Sequence, residues 1–167
     1  MKQSMILKTF IVLFASMYCT AQAHADEKLL TGRLGVGFTK QIAVSTSDTA
    51  SAISAKYYFS RLTAASLALG FDTRSSDSIM AVGLKVYRTL FAEENLFFYG
   101  GGGAAYVSRN GSKAQLMAFL GSEFFLSGLP SLGFSFEVGA RGDSYSGNFS
   151  LKTTGDSFLT GGIHFYF

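Results

Sequence analysis

Charged side chains are scarce in this chain, and several recur at alternate positions. Lys56, Lys85, Glu123 and Glu137 each sit in a segment whose other alternate positions are apolar, so each shares a strand face with small residues such as Ser54, Gly83, Gly121 and Ser135. Ammonium and carboxylate groups gathered on one enclosed face can pair into a closed network, or they can line a path for ions or a small ligand. Arg33, Lys56, Lys85, Glu123 and Glu137 are expected to meet in one half of such an interior, with Arg141 further along the seventh segment. A lone buried charge costs several kcal/mol, so pairing is the leading expectation. The many Gly and Ala on the same faces keep a conducting or ligand-binding interior as the rival.

Other chemistry is thinly supported. His164 is the one histidine outside the N-terminal leader, so any Ser-His mechanism or histidine metal site must use it. Its inward neighbours Gly162 and Tyr166 suggest a hydrogen-bonded structural histidine rather than a general base. Arg141-Gly142-Asp143 matches an integrin-type tripeptide, but three residues recur by chance, and an interior Arg141 followed by a turn begun at Gly142 and Asp143 explains them. Asn110-Gly-Ser and Asn148-Phe-Ser read as polar loops. Gly35 to Gly37 and Gly100 to Gly103 lack the strand-to-helix setting of a phosphate loop and read as packing or bending sites. No catalytic residue, metal site or cofactor is expected.

The elements that must position these groups are strands. Eight amphipathic segments run approximately Gly32 to Gln41, Ser51 to Ser60, Thr63 to Asp72, Ser78 to Arg88, Leu96 to Ser108, Lys113 to Leu126, Gly133 to Asp143 and Ser157 to Phe167. Leu34, Val36 and Phe38 oppose Gly35 and Gly37; Met80, Val82, Leu84 and Val86 oppose Gly83 and Lys85; Phe134, Phe136 and Val138 oppose Ser135, Glu137 and Gly139. The large apolar face should meet lipid and the small, charged face should line an interior. Tyr99-Gly100-Gly101-Gly102-Gly103-Ala104-Ala105 makes both faces of the fifth segment small, which leaves its register open. Aromatics gather at one end, at Tyr57 to Phe59, Tyr87, Phe97 to Tyr99, Phe124, Phe125 and Phe165 to Phe167. That end carries the C-terminus and the turns Ser60 to Leu62, Thr89 to Asn95 and Ser127 to Leu132, and is expected to face the periplasm. Ile42 to Ala50, Thr73 to Asp77, Arg109 to Ser112 and Ser144 to Asp156 would be the external connections.

Lys2 and Lys8, the apolar run Thr9 to Met17 and the small-residue site Ala23-His24-Ala25 are expected to form a signal peptide over 1–25, cleaved after Ala25. Cleavage after Ala23 is the second choice. Residues 26–167 then form one domain of about 140 residues. Cys19 leaves with the leader, so no disulfide or thiolate site remains. Loss of Lys2 and Lys8 lowers Lys+Arg from 14 to 12 against 11 Asp+Glu, a formal charge near +1, and nucleic acid is not an expected partner. No apolar run approaches the roughly 18 residues of a spanning helix.

With this leader, these segments and the ending Leu159, Ile163, Phe165 and Phe167, the chain resembles the small eight-stranded outer-membrane barrels of Gram-negative bacteria, the OmpA/OmpX-like class. The resemblance implies an all-β, antiparallel, up-and-down transmembrane β-barrel in the outer membrane. It implies contact with outer-membrane lipids and lipopolysaccharide, and a terminal stripe read by the barrel-assembly machinery. A monomer with a structural or surface role is expected. The alternatives are a narrow pore or small-ligand carrier, a surface adhesin or lipid-modifying enzyme, and a soluble lipocalin-like barrel.

Overall fold

The computed structural model describes residues 30–45, 48–74, 77–108, 111–145, 148–153 and 160–167. The expected leader, its cleavage site and Leu159 lie outside them. The described strands are β1 (Leu34–Ser45), β2 (Asp48–Tyr58), β3 (Thr63–Arg74), β4 (Asp77–Glu93), β5 (Leu96–Ser108), β6 (Ser112–Leu126), β7 (Leu129–Tyr145), β8 (Asn148–Thr153) and β9 (Thr160–Tyr166).

Each strand from β1 to β7 pairs antiparallel with the next, β7 pairs with β9, and β9 returns to β1. Eight strands therefore close into a barrel, leaving no free edge along the paired rungs. β8 is an addition to this ring. It pairs with Ala140 to Tyr145 of β7, while β9 pairs with Leu132 to Glu137 on the same edge. The six residues 154–159 thus separate two strands that lie opposite nearly continuous stretches of β7.

Stepping across the ladder from Tyr166 leads through Gly35, Lys56, Ser66, Lys85, Gly103 and Met117 to Arg141 of β7. β7 meets β9 at the level of Tyr166 just below Leu132, so one circuit climbs about ten residues. That stagger fits strands tilted by about 35–45°.

Alternation sorts the side chains into two populations. Every strand of the ring presents large apolar groups outward: Phe38 on β1, Ile53 on β2, Leu67 on β3, Leu84 on β4, Tyr106 on β5, Leu120 on β6, Phe136 on β7 and Phe165 on β9 are all exposed. Phe38 is 65% exposed, whereas Glu123 is 0% exposed. Paired charges share the interior with aromatic rings, while most of the large aliphatic side chains crowd the outside.

Several features depart from the sequence expectation: β1 runs to Ser45 and β2 begins at Asp48, where Ile42 to Ala50 was expected to connect them, and β7 begins at Leu129, inside the expected turn Ser127 to Leu132. β4 continues beyond Arg88 to Glu93 because a bulge between Thr89 and Phe91 absorbs Leu90 and switches the inward positions from Thr89 to Ala92. β7 continues to Tyr145, so Gly142 and Asp143 lie within a strand rather than in a turn. Asn148 to Thr153, expected within a polar loop, form β8. The register left open for the Gly-rich segment is set by its neighbours: Phe97, Tyr99, Ala105 and Val107 of β5 are buried inside, while Ala104 and Tyr106 are exposed.

Candidate functional site

The lumen begins at the end of the barrel that carries the chain's last residue. Leu30, just before β1, is buried in one apolar cluster with Tyr58, Phe97, Phe125 and Tyr166. The Gly32 amide donates to the Tyr58 carbonyl at 2.8 Å, and the Tyr58 amide donates to the Arg33 carbonyl at 3.2 Å, which fixes this lead-in segment to β2. Arg33 lies on that lead-in, half-buried, and none of the described lumen ion pairs includes it.

Above this cluster Glu123 projects from β6. Its carboxylate accepts from Lys56 Nζ at 2.8 Å and the Tyr58 hydroxyl at 2.8 Å on one oxygen, and from the Tyr166 hydroxyl at 2.6 Å on the other. Three donors from two strands, β2 and β9, replace the water that a buried carboxylate loses. The Lys56 ammonium also lies 4.4 Å from the centroid of the Tyr87 ring, 4.7 Å from that of Tyr99 and 5.1 Å from that of Tyr58, within cation–π range of all three.

A second tier pairs Lys85 of β4 with Glu137 of β7 across the barrel. Tyr99 joins the tiers, because its ring faces Lys56 while its hydroxyl donates to Glu137 at 3.3 Å. Lys85 lies 4.5 Å from the centre of the Phe119 ring, and Phe119 meets Tyr87 edge to face at 5.3 Å. The rings fit because the facing positions are glycine. A Cβ on Gly101 would stand 2.6 Å from the Phe119 ring, and one on Gly121 would stand 2.8 Å from Tyr99. These small faces are occupied by aromatic rings from neighbouring strands.

Nearer the opposite end, the lumen holds Arg141. Its Nε pairs with Asp143 two residues along the same strand at 2.8 Å, and Asp143 also meets Lys152 of β8 at 3.5 Å. The structure therefore brings together Lys56 with Glu123 and Lys85 with Glu137, sets Arg141 in a separate pair, and leaves Arg33 at the rim. Asp143 and the four tyrosines 58, 87, 99 and 166 were not among the expected network residues. Strict alternation from Tyr57 would have found Tyr58, because adjacent aromatics in a strand must face opposite ways.

His164 Nε2 lies 2.8 Å from Ser54 Oγ, and both residues are buried. That distance suits a nucleophile and its base, but Nδ1 has no orienting partner among the described residues. The arrangement can hold β9 to β2 over Gly37 of β1, which pairs with both residues; among the described residues it lacks the orienting acid of a catalytic triad. Among the described residues no group of three or more His, Cys, Asp and Glu could hold a metal ion. Ile163, Phe165 and Phe167 of the terminal stripe all face outward and are exposed. Compared with known protein families, with curated proteins and with solved structures, the chain matches none.

Proposed function

We propose that this chain is an integral outer-membrane β-barrel protein of the OmpA/OmpX-like kind, with a structural or surface role, a lumen closed by its own side chains, and no catalysis. The observation that carries the reading is the distribution of side chains: each ring strand turns large apolar groups outward, and the ring encloses the pairs Lys56 with Glu123 and Lys85 with Glu137. In water such an outer surface would favour aggregation, since about 25 cal/mol is lost for each Å² of apolar area left wet. In a bilayer the same surface is solvated, and a closed sheet leaves no backbone amide unpaired in the hydrocarbon.

The exposed rings Tyr57, Phe59, Phe165 and Phe167 give the end carrying Phe167 an aromatic rim, which supports placing that end at the periplasmic interface. The outward stripe Ile163, Phe165 and Phe167 suits recognition by the assembly machinery, and lipids and lipopolysaccharide are the partners of the apolar belt. Purified protein reconstituted into planar bilayers is expected to give no single-channel conductance, because the Glu123 and Glu137 tiers span the interior. Steady channels would overturn the closed-lumen reading in favour of a pore.

A further inference from the structure

We infer that a buried water molecule occupies the inner face of the barrel beside Gly162 and joins β7 to β1 across β9. Gly162 is the inward-facing residue between Thr160 and His164, and it is directly paired with Ser135 on one side and Thr39 on the other. A Cβ at Gly162 would stand 2.7 Å from Ser135 Oγ, 3.4 Å from the Phe38 carbonyl oxygen and 3.5 Å from Thr39 Oγ1. Three oxygens on the strands flanking β9 thus converge on the one position that lacks a side chain.

Thr39 supplies the second observation. Thr39 is 2% exposed, and its hydroxyl has no hydrogen-bond partner among the described residues. Buried hydroxyls are ordinarily satisfied, and a polar recess with two to four available partners is where internal water is found. Gly162 is only half-buried although Thr39, Ser135 and His164 around it are buried, so space remains beside its Cα. A water there can donate to Ser135 Oγ and to the Phe38 carbonyl while accepting from Thr39 Oγ1. The position matters because Thr39 with Gly162 is the last described rung joining β1 to β9, where the ring closes. The water serves as a cross-link at the barrel seam, and it depends on the ring alone, not on the solvent around it.

Two measurements on the full protein in detergent test the inference. A crystal structure that resolves ordered water is expected to show an oxygen about 2.6–3.2 Å from both hydroxyls; a Thr39 hydroxyl bonded instead to a backbone carbonyl, with no density between the two, would overturn it. Thermal unfolding of Thr39→Val, Ser135→Ala and the double variant should be non-additive, because either change removes the same bridge. Fully additive shifts would contradict a shared water. Gly162→Ala should lower the melting temperature by several degrees more than Gly161→Ala, whose Cβ would meet only the Ser135 carbonyl oxygen at 3.9 Å. Equal melting temperatures for these two variants would also contradict it.

Discussion

At the scale of single residues, the buried carboxylates dominate the energetics. Glu123 holds three donors and is the most enclosed acid of the lumen, so Glu123→Ala strands the Lys56 ammonium and two tyrosine hydroxyls. Removing one partner of a buried pair costs about 3–5 kcal/mol, so thermal unfolding should show a large loss for this variant. Glu137→Ala should also lower stability, and by less, since its second donor Tyr99 stands further away at 3.3 Å. Replacing the whole pair, Lys85→Met with Glu137→Leu, should recover most of what Glu137→Ala alone loses. An unchanged melting temperature for Glu137→Ala would contradict the paired lumen. His164→Ala should cost about 0.5–1.5 kcal/mol through its Ser54 bond and leave the lipid A profile of cells unchanged. The alternating charges were legible because each sits among small residues on its strand. The tyrosines that satisfy them were harder to read, because an aromatic at a strand end serves an interface or a lumen equally well by type, and only its parity decides.

At the scale of elements, small residues and bulges govern what each strand can do. A methyl at Gly101 would stand 2.3 Å from the Val86 carbonyl oxygen as well as against Phe119, so Gly101→Ala should destabilise the β4–β5–β6 wall, measurable as a lower unfolding temperature. β8 is exposed along its length and pairs with β7 alone among the described strands. Excising Asn148 to Thr153 should therefore leave the heat-resistant gel mobility of the folded barrel intact; loss of that band would mean that β8 is required for closure. β3, β5 and β6 were legible nearly to their ends from period-two alternation. β4 and β7 ran on because a bulge at Leu90 breaks parity in one, and because Arg141-Gly142-Asp143 carries turn-forming residue types in the other. β8 was hidden by its polar residues, Phe149 and Leu151 being too short an apolar alternation to announce a strand.

At the scale of the whole molecule, the two faces of the closed sheet differ in what they present, large apolar groups outward and paired charges inward. Charge balance, the absence of a long apolar run and an even number of amphipathic segments pointed to a closed antiparallel barrel, and the ring of eight paired strands has that form. What the sequence could not specify is how the interior is filled, because pairing across a lumen depends on the stagger of the ring, which no single segment encodes. The central claim is that the outward face is lipid-facing, and residues 26–167 contain no cysteine, which makes single labels simple to place. Nitroxides introduced at Phe38→Cys, Leu67→Cys and Val138→Cys in protein reconstituted into liposomes should relax strongly with oxygen and weakly with a water-soluble nickel chelate, as lipid-exposed sites do. Strong relaxation by the nickel chelate at all three positions, with little from oxygen, would contradict the account and indicate a barrel that stands in water.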